Sequence, residues 1–356
     1  MLKQKKYAKY TQTQQHTPGF FRLTGSLFFI LAVLTSLFCT GVSAADKIRP
    51  PAVAGTFYPA EPERLKKMIK KYLDQAETTT LKGKLKALVC PHAGYVYSGP
   101  VAAAAFSLLQ GSSGKKIFLL GPSHRFPLSN PSIPSVKYYR TPLGDVALDA
   151  GAVTLRRQKL FHSVNQAHQQ EHSLEVQLPF LQTVLKKFTI IPILSDQRHT
   201  GPTAAAIAKE FDRNSLIIVS SDLSHYHPYT EARQLDKACV KAIVNKDLQA
   251  LSRQEACGLA PLMTLVQIAR SRNWQAKLLD LRNSGDTAGS KDKVVGYAAI
   301  AFYKNSSAGR HTGFKLKQLE KKQLLELARK AIKDKTRNPD MDPNKLSSRL
   351  HKKRGC

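Results

Sequence analysis

Three short apolar runs in this chain each end in residues that ligate metals or move protons. The first is followed by Pro91-His92-Ala93-Gly94-Tyr95 and the second by Gly121-Pro122-Ser123-His124-Arg125. The third leads into Ser221-Asp222-Leu223-Ser224-His225-Tyr226-His227. Imidazole is the commonest metal ligand and titrates near neutrality, so histidines brought to one place serve as ligands or as acid–base groups. A fourth segment, His168-Gln169-Gln170-Glu171-His172, fits the H-x-x-E-H pattern, in which two histidines on one helix face bind zinc and the glutamate acts as base. A zinc protease built on His168, Glu171 and His172 also needs a second ligating glutamate on a later helix, and the sequence offers no clear one.

The elements that must position these residues follow from hydrophobic periodicity. Apolar runs at 87–90, 117–120, 189–194, 216–220 and 294–303 read as buried strands. Amphipathic stretches at 61–75, 101–109, 173–187, 203–212 and 231–244 read as the helices between them. The alternation predicts one α/β domain over 48–303, a mostly parallel or mixed sheet flanked by helices. Ligands of such sheets bind beyond the carboxyl ends of the strands, where the His and Asp motifs arrive.

The chain of 356 residues carries 55 Lys and Arg against 25 Asp and Glu, a formal net charge of +30. Residues 1–45 hold five basic and no acidic side chains, and residues 304–356 hold sixteen basic and five acidic. The middle keeps +14, scattered singly and without the aromatic and arginine spacing of a stacking platform, which argues against a nucleic-acid partner. The first 44 residues join a basic segment to the apolar run Gly25-Ser26-Leu27-Phe28-Phe29-Ile30-Leu31-Ala32-Val33-Leu34 and then to Val42-Ser43-Ala44, the pattern of a secretory signal peptide. The mature protein is therefore expected in a periplasm or outside the cell, touching a membrane only through this segment; an uncleaved N-terminal anchor is the alternative. Cys90, Cys239, Cys257 and Cys356 form no C-x-x-C pair, which excludes the usual zinc-finger spacing. Cys90 and Cys257 read as buried small hydrophobes.

Taken in order, the motifs resemble the Memo family, the type also called AmmeMemoRadiSam system protein B. They are Ala52 and Gly55 with Phe57-Tyr58-Pro59, Pro91-His92-Ala93-Gly94-Tyr95 with Ser98-Gly99, Gly121-Pro122-Ser123-His124, Tyr139-Arg140-Thr141-Pro142-Leu143-Gly144, Glu171-His172-Ser173-Leu174-Glu175, Leu178-Pro179-Phe180, Ser220-Ser221-Asp222-Leu223-Ser224-His225 and Gly296-Tyr297-Ala298. The resemblance implies a fold similar to class III extradiol dioxygenases, which hold a non-haem iron by two His and a carboxylate. It implies His92 and His124 as metal ligands, His225 as the acid–base group supported by Asp222, and a cleft lined for substrate by His172, Glu171 and Tyr95. Some family members place a cysteine before the final strand, where this chain has Thr287; Asp286 is the candidate third ligand, and a Gly-Asp turn residue is its other reading. The implied cofactor is Fe(II) or copper, and the implied activity a dioxygenase-like oxidoreduction of a small organic substrate. Memo relatives match Glu171 and His172 but not His168, which weakens the protease reading. A non-catalytic protein using the same cleft for an anionic ligand or peptide is the competing reading.

Residues 304–313 read as a polar linker, and 314–333 as an amphipathic helix resembling the start of an AMMECR-type domain, with a basic tail expected to be disordered at 334–356. By family resemblance, the partners would include an AMMECR-type protein and a radical SAM protein.

Overall fold

The computed structural model describes residues 48–305 apart from position 78, together with Glu326 and Arg329, both helical and exposed. The signal segment, most of the linker, the basic tail and the rest of the expected AMMECR-like helix lie outside the described residues. Among the described residues no helix is long and apolar enough to cross a membrane.

The chain enters through β1 (Ile48–Arg49) and then α1 (Pro62–Gln75). Glu61 caps α1 by accepting hydrogen bonds from the N–H groups of Glu63 and Arg64, and Leu65, Ile69 and Leu73 bury one stripe at four-residue spacing. β2 (Gly83–Cys90), α2 (Tyr95–Phe106) and β3 (Lys115–Pro122) follow, then the hairpin of β4 (Tyr138–Thr141) and β5 (Gly144–Ala147). The middle of the chain forms α3 (Ala150–Arg156), α4 (Asn165–Gln169), α5 (Leu178–Val184), β6 (Phe188–Ser195), α6 (Thr200–Glu210), β7 (Ser215–Ser220) and β8 (His225–His227). Last come α7 (Tyr229–Val244), α8 (Leu248–Leu251), α9 (Leu259–Ser271), β9 (Gln275–Asn283) and β10 (Val294–Asn305).

Seven strands make the main sheet. Its parallel part runs β6-β3-β7-β2, and β10 then lies antiparallel to β2, with Ile300 opposite Val89. β9 pairs antiparallel with β10, and β8 pairs with its first two residues. A separate three-stranded sheet has the order β1-β4-β5. The mixed α/β architecture is the one expected from the alternation of runs.

Side chains alternate across the sheet, so the strands feed two cores. Leu88, Cys90, Leu119 and Ile218 meet residues of α1, α2 and α5, among them Leu65, Val101 and Phe180. Val89, Phe118, Leu120 and Val219 meet α3, α6, α7 and α9 through Leu155, Ile207, Val240 and Leu265. Burial on both faces explains why these strands read as continuous apolar runs rather than alternating ones. It also fixes the loops after β2, β3 and β7 at one edge, since the three strands are parallel and in register.

Candidate metal centre

Beyond that edge, His92, His124 and His172 offer ligand nitrogens that all lie within 4.8 Å of one another. Their ring centroids are 5.1, 5.4 and 4.6 Å apart. His92 is buried, His172 partly so, and His124 is open to solvent, leaving one side of the group accessible.

Proton counting fixes which nitrogens are free. Ser220 Oγ donates its only proton to the Ser173 carbonyl at 2.6 Å and accepts from Gln177 Nε2 at 2.7 Å. It must therefore also accept from His92 Nδ1, 2.9 Å away, which leaves Nε2 without a proton of its own. Glu171 plays the same part for His124: its Oε1 accepts from Nδ1 at 2.9 Å, and its Oε2 from the His124 backbone N–H at 2.5 Å. Oε1 also takes the Ser173 N–H at 2.8 Å and lies 3.4 Å from His172 Nδ1. Burial would raise the Glu171 carboxyl, but the hydrogen bonds from the His124 ring and these backbone groups outweigh it and hold the pKa at about 2. Burial drives His92 well below its ordinary value and His172 to about 4, helped by the neighbouring imidazoles. At neutral pH His92 and His172 are thus uncharged imidazoles beside one fixed carboxylate, the protonation state that ligation needs.

The third position differs from the expectation. Asp286 is exposed and sits in a capping box, its Oδ2 accepting the Asn283 N–H at 3.0 Å and its Oδ1 the Tyr229 hydroxyl at 2.6 Å. It belongs to the turn, as its Gly-Asp context allowed, and His172 completes the group instead. Glu171 is not a substrate contact, being buried beneath the histidines with both oxygens engaged. Tyr95 does not line a cleft either: it is 2% exposed, donates its hydroxyl to the Val176 carbonyl at 2.6 Å and packs on Phe180. Two positions on, Tyr97 stays exposed, because residues at that spacing lie on different sides of a helix.

A thiol does reach the site, from Cys257 just before α9 rather than from position 287. Its Sγ lies 3.2 Å from His92 Nε2 and accepts the Asp222 N–H at 3.2 Å. Burial, with the Asp222 charge, pushes its pKa well above the ordinary thiol value. The following Gly258 has no room for a side chain: a Cβ would strike the Ser221 side chain, coming within 2.6 Å of its Oγ, and that hydroxyl accepts the Gly258 N–H. The Cys-Gly pair is thus seated directly on the end of β7. Without a partnered motif in sequence, Cys257 had no signal beyond its burial at a helix start.

Asp222 is buried and its carboxyl is pushed up to about 7 by desolvation. Its Oδ1 accepts the His92 N–H at 2.7 Å, so the side chain anchors the loop of His92 rather than the His225 ring. His225 is partly buried, which lowers its pKa. Between His225 and His227 stands Tyr226, 70% exposed at φ 62, a left-handed backbone that a bulky residue adopts only when its surroundings hold it there.

The H-x-x-E-H segment does not form a zinc site. His168 is 1% exposed on the short helix α4, with Nδ1 2.8 Å from the Tyr139 hydroxyl and Nε2 3.1 Å from Ser132 Oγ, outside the group formed by His172. Desolvation, with the Arg49 charge, holds its pKa at about 3. Unfolded histidine takes up a proton near 6.5 while folded His168 stays neutral, so stability is full above that value and is lost as pH falls toward 3. A His168→Gln variant should show a shallower loss of unfolding free energy between those limits in urea titrations, by at most about 1.4 kcal/mol per pH unit.

A sequence model of the family described as Memo-like protein matches residues 49–301. A MEMO1 family protein of Methanopyrus kandleri is 36% identical over 278 residues, covering 71% of this chain and 98% of the relative. A MEMO1 family protein of Pyrobaculum arsenaticum is 36% identical over 280 residues, 72% of this chain and all of the relative. The counterpart in Archaeoglobus fulgidus is 36% identical over 267 residues, 72% of this chain and 99% of its own length. The chain belongs to the Memo family.

Proposed function

We propose that the protein binds a redox-active transition metal, Fe(II) or copper, through His92, His124 and His172, and that it is an oxidoreductase acting on a small organic substrate. The observation that carries this reading is the convergence of three imidazoles, two of them with Nδ1 already committed to Ser220 and Glu171. Such outer partners orient a ligating ring and raise its basicity. A nitrogen set with a thiol beside it suits iron, copper or zinc and is a poor match for magnesium or calcium, which take oxygen.

The ion, when bound, would supply a Lewis acid and a one-electron centre next to the substrate. Cys257 would add a sulfur donor, its thiol losing the proton that burial otherwise keeps on it. His225, whose pKa burial lowers, would take a proton from a substrate hydroxyl or thiol. Asp222 holds the His92 loop through the backbone, so its task is positioning.

The test is metal analysis of the full chain after anaerobic reconstitution, beside His92→Ala and His124→Ala. Near-stoichiometric iron or copper in the parent and its loss in both variants is the expected result. Folded parent protein that takes up zinc alone, or no metal, overturns the oxidoreductase reading.

A further inference from the structure

The opposite edge of the sheet, where the parallel strands begin, holds a cleft of about 330 Å3. Four cations line it: Lys86 of β2, Arg213 before β7, Arg272 after α9 and Lys304 of β10. They meet because β10 runs antiparallel to β2, bringing the end of one strand beside the start of the other. That pairing sets Lys304 directly opposite Lys84, a like-charge cross-strand pair that costs stability unless something answers it. The walls are Phe211 and Trp274, both buried, and the Phe211 ring has Lys86 Nζ at 5.7 Å and Arg272 Cζ at 5.2 Å from its centroid.

Nothing described in the protein neutralises this group. The one acid in the lining, Asp212, is already paired with Lys116 at 2.7 Å. Lys86, Arg213 and Lys304 have no carboxylate partner among the described residues. Partial burial, then the charges of Lys84, Lys304, Arg272 and Lys115, lower the Lys86 pKa, the signature of cations crowded without a counter-charge. A concave surface with apolar walls concentrates such a field. A monovalent anion answers only one of four charges, whereas linked phosphate groups offer several oxygens at the spacing of several donors.

We propose that this cleft binds the diphosphate group of a small molecule, recognised by Lys86, Arg213, Arg272 and Lys304 and separate from the histidine centre. The test is calorimetric titration of the full chain with pyrophosphate and with ADP at about physiological salt, where exposed charge pairs are largely screened. Either ligand should bind, and the tighter of the two tells a free diphosphate from an esterified one. The double variant Lys86→Met, Lys304→Met should weaken binding at least about tenfold. A control double variant, Lys67→Met with Lys71→Met on the exposed side of α1, removes the same charge elsewhere and should change affinity less than about twofold. No binding of either ligand at millimolar concentration, or equal losses in the two double variants, would overturn the proposal.

Discussion

Replacing Arg49 with methionine is expected to lower the unfolding free energy by about 3–5 kcal/mol, the usual consequence of leaving one half of a buried ion pair without its partner. The guanidinium is 2% exposed and pairs with Glu175. Its Nε donates to the His168 carbonyl at 3.0 Å and its second terminal nitrogen to the Glu171 carbonyl at 2.5 Å. Glu175 also accepts the N–H groups of Ala52 and Val53, at 2.7 and 3.0 Å, and the Tyr58 hydroxyl. Methionine fills the volume of the arginine stem but leaves the Glu175 charge buried and two carbonyls unanswered. Because the same guanidinium holds the backbone of Glu171, the variant should also bind metal more weakly. Urea unfolding measures the first effect; a loss under about 1 kcal/mol would show that the pair contributes no more than a surface bridge does. The double variant Arg49→Met, Glu175→Leu should recover part of the loss, since removing both charges ends the uncompensated burial.

Glu171→Gln should raise the dissociation constant for the metal about 10–100-fold, the range found for outer partners of ligating histidines. The carboxylate accepts three N–H donors, and an amide can accept at only one of its two heavy atoms. An amide nitrogen facing His124 Nδ1 would drive the proton to Nε2, removing the lone pair the metal needs. Competition with a metal-binding dye reads the affinity, and nitrogen NMR of the ring reads the tautomer. Unchanged affinity would mean that Glu171 serves the loop alone. With the carboxyl held at about 2, Glu171 keeps its charge further into acid than His172, at about 4, stays neutral, so metal loss on acidification should follow that imidazole rather than this carboxylate.

The five strands read from apolar runs are all present, as β2, β3, β6, β7 and β10, because double burial removes any competing pattern. The strands that escaped notice are the short or half-exposed ones: β8 has three residues, and β9 is partly buried or exposed at every position but its last, including Leu278 at 37%. The stretch 173–187 becomes a 3-10 turn at Glu175–Gln177 before α5, since the Glu175 carboxylate is drawn inward to Arg49 and away from a regular helical face. In the site, the ends of parallel strands bring His92 and His124 to one edge, and the family resemblance supplies their reading as ligands. The Glu171-His172 segment marks His172 as a cleft residue or a zinc ligand, but its place beside His92 and His124, like the approach of Cys257, comes from the fold of the 171–175 loop and the seating of α9, neither of which leaves a local period. Asp286 misled for a related reason: a carboxylate in a Gly-Asp turn looks the same whether it faces a metal or its own backbone.

The place of β10 between β2 and β9 has a consequence for the nascent chain. About two hundred residues separate Cys90 from Val294, so the edge of β2 that β10 covers stays unpaired while the ribosome works through the intervening chain. At the usual pace of translation that interval is roughly 10–40 s. An apolar strand edge open for so long is a template for pairing with another chain. Helices α1 and α2 can shield one face of β2 early, but its edge waits for almost the last residues of the domain. A ribosome stalled anywhere before β10 would therefore hold a sticky intermediate, and chaperone dependence should concentrate in that window.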